Sequence, residues 1–171
     1  ACVNCGACVC VCPTGALSTL EPTVESMAAS IASSSDTSSG LAVIACARKA
    51  SKHEADVERF SEVACLGQVN EALLVSCAAS GLVDMVLVDG DCTTCKYGAV
   101  SPSIDETINN AVELLESARS EAIITRASEF PEEIEVGKDA RRSFRGEDRR
   151  GLLFQTGGYV RKVATGVAKK T

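Results

Sequence analysis

Four short apolar runs in the middle of the chain predict the strands of a sheet. Residues 41–45 and 84–88 are almost entirely apolar, which is typical of strands that are buried on both faces. Residues 62–64 and 121–125 are shorter runs that predict two further strands. We therefore expect a sheet whose two faces are both covered by other parts of the chain.

Amphipathic stretches separate these runs. Residues 69–80 predict a helix that ends at Gly81, and residues 104–119 predict a second helix with one apolar face. Residues 51–60 are charged and compatible with a helix. Strands that alternate with helices predict an α/β fold with a parallel sheet and right-handed crossovers. We expect a small Rossmann-like or flavodoxin-like domain over residues 41–127.

The part of the chain before this domain divides into two segments. Residues 1–20 are rich in cysteine and predict a tight loop segment. Pro22 and Thr23 predict the start of a short amphipathic helix. Residues 33–40 are rich in serine and predict a loop or linker, so residues 21–40 are expected to join the cysteine-rich segment to the α/β domain.

Charge is spread unevenly along the chain, whose formal net charge is −6. Residues 1–137 hold 7 basic and 20 acidic side chains, whereas residues 138–171 hold 10 basic and 3 acidic ones. We interpret residues 128–171 as a basic C-terminal extension that docks on a partner. No base-reading motif accompanies this charge, and no run of 18 apolar residues exists. Nucleic-acid binding and a membrane span are therefore not expected.

The 10 cysteines are far more than a chain of 171 residues ordinarily carries. Five of them lie between Cys2 and Cys12, too close together for ordinary disulfide pairing. No signal peptide is visible. These features favour thiolates that bind metal in a reducing, cytoplasmic environment over a secreted disulfide scaffold.

The first cysteine motif has the spacing C-x2-C-x2-C-x3-C-P. It comprises Cys2, Cys5, Cys8 and Cys12, followed by Pro13. Three thiolates, each separated from the next by two residues, can bind one cubane cluster without straining the backbone. The proline then turns the chain away. Zinc sites more often use paired C-x2-C knuckles separated by longer loops, so a zinc site or scattered disulfides are the less favoured alternatives.

This motif, with the residues that follow it, resembles the bacterial [4Fe–4S] ferredoxins. The likeness extends through residues 14–17, Thr-Gly-Ala-Leu, after the Cys-Pro pair. It implies a [4Fe–4S] cluster held by the motif cysteines. In two-cluster ferredoxins the cysteine before proline binds the other cluster, so Cys12 either closes the same cubane or serves one outside the chain. Cys10 is expected to be a small apolar filler or a free thiol.

A second set of cysteines follows the predicted strands: Cys46, Cys65, Cys92 and Cys95. The carboxyl ends of parallel strands meet at one edge of a sheet, and ligands bind in the crevice outside that edge. We therefore expect the four thiols to converge there. Four thiolates suit a [2Fe–2S] cluster or, less favoured, a zinc ion. A reversible dithiol formed by Cys92 and Cys95 is the other alternative.

The region around these cysteines resembles the hydrogenase iron–sulfur (delta) subunit family. The likeness spans residues 41–127 and rests on residues 65–69, 81–88 and 90–98, above all on the C-x2-C-x-Tyr pattern after a buried strand. Members of this family accompany methyl-viologen-reducing hydrogenases and heterodisulfide reductases. The resemblance implies a [2Fe–2S] cluster that passes electrons between flavin and cubane centres. The family usually adds a cysteine near the first site and a histidine before the tyrosine; this neighbourhood here holds Arg48, Lys49 and Lys96.

Together these motifs predict an iron–sulfur electron-transfer protein or subunit. It would relay single electrons within a larger anaerobic-type oxidoreductase, with flavin or iron–sulfur proteins as its partners. No nucleophile–base pair stands out, so the chain is not assigned a reaction of its own. The alternative is a thiol-redox or zinc-binding regulatory module built on the α/β domain. Cys77 lies within a predicted helix and is expected to be a packed core thiol.

Overall fold

A parallel sheet of four strands forms the centre of the structure. The computed structural model describes residues 2, 5–19, 22–38 and 40–135. The chain divides after Glu135 into two units, and the described residues all belong to the first. The predicted docking role of the basic extension therefore falls mainly outside the described residues. The strands are β1 (Leu41–Cys46), β2 (Ser61–Val63), β3 (Asp84–Val88) and β4 (Ile123–Ala127).

Five α-helices surround this sheet in the described part of the chain. They are α1 (Ala7–Cys10), α2 (Val24–Thr37), α3 (Ala47–Ala50), α4 (Glu71–Ala79) and α5 (Ser101–Ser117). Short 3-10 turns cover Leu66–Gln68, Cys92–Thr94, Gly98–Val100 and Glu132–Ile134. No helix of the described residues is long and apolar enough to cross a membrane.

All strand pairs are parallel, and the strand order is β2-β1-β3-β4. The predicted α/β class is therefore confirmed. The chain moves outward from β1 to β2 and then returns past β1 to add β3 and β4. The direction of strand addition consequently reverses between β1 and β3. That reversal opens a crevice at the carboxyl edge of the sheet, where no connection crosses between these two strands.

The three longest helices, α2, α4 and α5, pack on one face of the sheet through an apolar core. Fully buried side chains in this core come from helices and strands alike: Ile31, Ile44, Leu73, Leu74, Met85 and Leu87. Asn70 begins α4 as its N-cap, because its side-chain oxygen accepts a hydrogen bond of 2.8 Å from the backbone N–H of Leu73. Cys77 is buried in this core, as predicted.

The opposite face of the sheet is covered by irregular segments. Val43, Ala45 and Val88 pack there against Phe60 and Phe130. Residues 51–60 form turns, so the helix that their composition allowed does not occur. Residues 128–135, which the sequence assigned to the basic extension, also belong to this layer: an antiparallel bridge joins Ala55 to Glu135.

The serine-rich stretch after residue 33 is helical where a loop was predicted. Helix α2 continues to Thr37. The hydroxyl of Ser34 donates to the carbonyl of Ile31 at 3.0 Å, and that of Ser35 donates to the carbonyl of Ala32 at 2.8 Å. Because each hydroxyl has its hydrogen-bond partner within the helix, it does not favour a non-helical backbone. Both serines are buried, so the helix uses small residues where it faces the protein.

Candidate functional site

Four cysteines line one cleft at the carboxyl edge of the sheet. Cys46 ends β1, Cys65 follows β2, and Cys92 and Cys95 belong to the segment that follows β3. The space in the cleft that a water-sized molecule can enter is about 20 Å³, and the cleft is partly open to solvent. The structure therefore brings together the four thiols that the sequence placed at this edge. Their cleft lies where the strand order reverses, the usual position of ligand sites in open α/β sheets.

Cys92 lines the cleft and contacts two charged side chains. Its Sγ donates to Asp89 Oδ2 at 3.4 Å, and Arg126 Nη2 lies 3.8 Å from the same sulfur. Burial raises the pKa of Cys92, and the hydrogen bond to Asp89 raises it further because a neighbouring carboxylate disfavours the thiolate. Both effects favour the thiol form of Cys92 over the thiolate.

Arg126 was not identified from the sequence. The fourth strand was predicted to end at Thr125, two positions too early, whereas β4 continues to Ala127 and pairs Arg126 with Leu87. A basic residue at the carboxyl end of a buried parallel strand was the signal that could have found it.

Polar groups fix the turn that carries Cys92 and Cys95. Asp91 caps it, since its side chain accepts from the backbone N–H of Thr93 at 3.0 Å. Hydrogen bonds from Thr93 and Thr94 hold the pKa of Asp91 below its usual value. Arg48 reaches across from α3 and donates to Thr94 Oγ1 at 2.7 Å. Side chains from the segments that follow β1 and β3 therefore bond to each other at the edge of the cleft.

Three other cysteines lie close enough to Cys65 to affect its pKa. Burial raises its pKa, and the neighbouring thiols of Cys5, Cys46 and Cys95 raise it further because nearby thiolates repel each other. The backbone N–H of Gly67 also donates to Cys65 Sγ at 3.5 Å. Cys5 belongs to the N-terminal motif. The two cysteine sets are thus neighbours in space, which the sequence did not predict.

The N-terminal segment packs on the turn Leu66–Gln68, next to Cys65. Helix α1 contacts this turn, and Cys10 Sγ donates to the carbonyl of Gly67 at 3.3 Å. Burial raises the pKa of Cys10 to about 11, and Glu71 adds to the shift. Cys10 is accordingly a half-buried thiol that bonds to the backbone of the turn after Cys65, and its interpretation as a filler or free thiol stays a prediction.

Gly6 permits the close approach of the two segments. Its φ is +79°, in the left-handed region, and a Cβ there would collide with Cγ of Gln68. Gln68 is in turn fixed by accepting from the backbone N–H of Ala64 at 3.1 Å. The side chain of Gln68 therefore spans the junction between the N-terminal segment and the residues after β2.

Gly6→Ala is expected to loosen this junction and speed the alkylation of Cys10. The substitution strains the left-handed backbone by about 1–2 kcal/mol and adds the collision with Gln68. Gly15→Ala is the matched control, because Gly15 has φ +64° and no atom within 4 Å of its would-be Cβ. Alkylation would be followed by peptide mass spectrometry. Equal exposure of Cys10 in both variants would contradict the prediction.

The four cysteines of the first motif differ in exposure. Cys2 and Cys8 are exposed, and Cys5 and Cys12 are half-buried. The pKa of Cys12 is lowered to about 7, first by its hydrogen bond with the Thr14 hydroxyl and then by the backbone N–H of Leu17. Donors aimed at a cysteine sulfur are typical of metal–thiolate surroundings.

The donor set of the cleft is four cysteine thiols, the ligand type of both a [2Fe–2S] cluster and a zinc ion. In the residues that the structure describes, no three His, Cys, Asp or Glu side chains are grouped closely enough to hold one metal ion. Structural zinc takes four ligands on one ion, whereas the four cysteines of a [2Fe–2S] site are shared between two irons. The ten cysteines form no disulfide in the described chain.

Two basic residues that follow Cys46 have different surroundings. Arg48 lines the cleft. Lys49 is directed away from it, with 1% of its side chain exposed, and bonds to Glu54 and Glu129 at 2.7 Å each on the opposite face of the sheet. Of these two residues, only Arg48 adds positive charge to the cysteine site. Comparisons with protein-family models, with curated proteins and with solved structures find no match to this chain.

Proposed function

We propose that this chain is an iron–sulfur protein that relays single electrons between redox partners. The observation that carries the proposal is the convergence of thiols from three separate segments on one cleft at the carboxyl edge of the sheet. Cysteines of both sets would hold the clusters, each of which supplies one-electron oxidation and reduction when bound. The ligands would be Cys2, Cys5, Cys8 and Cys12 for a [4Fe–4S] cluster, and Cys46, Cys65, Cys92 and Cys95 for a [2Fe–2S] cluster.

The position of Cys5 supports a relay within one chain. Because α1 packs against the turn after Cys65, the two proposed centres would be neighbours. The protein's own task would be to hold the thiolates, exclude solvent from the buried side of the cleft and set the local charge. Electrons would then move between centres without a change in the fold.

The strand order supports the flavodoxin-like form of the α/β class. The order β2-β1-β3-β4 agrees with the first four strands of a flavodoxin-like sheet, whose ligand lies at the β1/β3 switch point. The cysteine cleft occupies the corresponding place. The resemblance to the hydrogenase delta subunits extends the proposal to flavin or iron–sulfur partners in a cytoplasmic oxidoreductase complex, on which the basic extension would dock.

The alternative, a thiol-redox or zinc-binding module, is less well supported. A thiol switch uses a cysteine whose pKa is lowered, and the pKa of Cys92 is raised instead. For a zinc ion, no three His, Cys, Asp or Glu side chains of the described residues are grouped closely enough to be its ligands.

Replacing Cys92 and Cys95 by serine is expected to remove one centre and spare the other. Iron, acid-labile sulfide and EPR spectra would be measured on anaerobically purified protein. The variant should lose about two irons and a [2Fe–2S] signal while keeping the cubane signal. Cys77→Ala is the control, since Cys77 is buried in the apolar core and does not line the cleft. If the serine variant and the unmutated protein bind equal iron, the α/β domain carries no cluster.

A further inference from the structure

A guanidinium at the end of β4 is fixed beside the cysteine cleft. Arg126 forms ion pairs with Asp89 and with Asp105, the latter at 2.6 Å. Its Nη2 also donates to Ser101 Oγ at 2.9 Å. Only 19% of the Arg126 side chain is exposed. Strand β4, the segment after β3 and the first turn of α5 therefore hold the guanidinium in one position.

The same guanidinium meets the sulfur of Cys92. Arg126 Nη2 lies 3.8 Å from Cys92 Sγ, within the range of a hydrogen bond to sulfur. In the thiol form, Cys92 donates its own proton to Asp89 Oδ2 at 3.4 Å. Asp89 accepts from Arg126 as well, at 2.9 Å from Nε. The carboxylate and the guanidinium thus flank the sulfur as one acceptor and one donor.

Loss of the Cys92 proton changes which neighbour can bond to the sulfur. A thiolate that binds metal has released its proton to solvent, so it has nothing to donate to Asp89. Arg126 remains a donor, because a guanidinium stays protonated. Nη2 also bonds to Asp89 and to Ser101, and these bonds hold it beside the sulfur. Arg126 is therefore one donor that the ligand form of Cys92 keeps, and the Ser101 side chain, whose hydrogen bond lowers the pKa of Cys92, is another.

We propose that Arg126 is a positioning residue that donates to the Cys92 sulfur of the cluster form and makes this centre easier to reduce. The inference rests on the proposed function and deepens it. Hydrogen bonds and positive charge at the ligand sulfur stabilise the reduced cluster, which carries one more negative charge. Asp89, Ser101 and Asp105 hold the guanidinium beside the sulfur.

The test is a redox titration of the second centre, followed by EPR, in three variants of the full chain. Arg126→Gln removes the charge and the sulfur donor, and its midpoint potential is expected to become more negative. Arg126→Lys retains the charge and should restore part of the shift. Arg48→Gln removes an arginine that lines the cleft and bonds to Thr94 rather than to sulfur. Its shift should be smaller than that of Arg126→Gln.

The outcomes separate the two proposals. A second centre with the same potential in Arg126→Gln, Arg126→Lys and the unmutated protein overturns the role of Arg126 and leaves the relay intact. Equal shifts in Arg126→Gln and Arg48→Gln also overturn it, because general charge would then explain the effect. If Arg126→Gln does not fold, Arg126→Lys decides, because it is expected to retain only part of the effect: a potential equal to that of the unmutated protein rejects the proposal. A chain that binds no second centre overturns both proposals.

Discussion

Gly98→Ala is expected to disrupt the cysteine cleft, whereas Gly90→Ala at the same edge of the sheet is expected to preserve it. A Cβ on Gly98 would collide with the backbone carbonyl oxygen of Cys92. Backbone cannot rotate away as a side chain can, so the Cys92–Cys95 turn must move. A Cβ on Gly90 would meet only Arg48 Cδ, at an ordinary contact distance of 3.7 Å.

The displacement should be visible in both stability and thiol reactivity. Overpacking of this kind costs about 1–3 kcal/mol, which urea unfolding would detect. The hydrogen bond from Cys92 to Asp89 depends on the position of the same turn. Alkylation of Cys92 in the metal-free protein should therefore accelerate in Gly98→Ala and remain unchanged in Gly90→Ala. Similar rates in the two variants would show that the turn tolerates the added methyl group.

Removing both acidic partners of Lys49 is expected to destabilise the protein by about 3–5 kcal/mol, because it leaves an ammonium buried without compensation. Lys49 Nζ lies 2.7 Å from both Glu54 Oε2 and Glu129 Oε2, and 5.7 Å from the centre of the Phe130 ring. Burial alone would lower the pKa of Lys49, but the hydrogen bonds with Glu129 and Glu54 raise it. The folded protein therefore contains a buried, charged lysine beside Phe130.

Glu54→Gln combined with Glu129→Gln tests this arrangement, and Lys49→Met is its counterpart. Methionine fills a similar volume and removes the buried charge, while Glu129 stays in contact with water because 74% of its side chain is exposed. Lys49→Met should consequently cost less than the double variant in urea unfolding near neutral pH. Equal losses in the two proteins would mean that packing of the lysine stem outweighs its charge.

The pH dependence gives an independent check on the same pair of variants. In the double glutamine variant, burial should hold the folded pKa of Lys49 below its unfolded value of about 10.4. The unfolded chain then binds more protons, so stability should rise with pH between these two values. Lys49→Met has no such group and should show no corresponding rise.

Local sequence patterns predicted most of the sheet and the place of the cleft. Strands β1 and β3 begin where their apolar runs begin, because a strand buried on both faces needs an uninterrupted apolar stretch. The convergence of Cys46, Cys65 and Cys92 was predictable from topology alone, since parallel strands end at a common edge.

The features that the sequence did not predict depend on contacts between residues that are far apart in the chain. Nothing in the first motif indicates that Cys10 bonds to the carbonyl of Gly67, because a short loop carries no periodic face to show where it packs. The role of Arg126 was missed for a related reason. Its partners Asp89 and Asp105 come from two other segments, and only the folded register aligns them. The serines of α2 misled the prediction because their hydroxyls bond within the helix.

The strand order also has a consequence during synthesis on the ribosome. β1 lies between β2 and β3, so both of its hydrogen-bonding neighbours are translated after it. The most apolar strand of the sheet ends at Cys46, yet β3 begins only at Asp84. During that interval its backbone edges have no complete set of partners, and such edges promote aggregation of nascent chains. The amphipathic helix α2, made immediately before β1 and packed against it in the folded protein, is the first segment able to shield it.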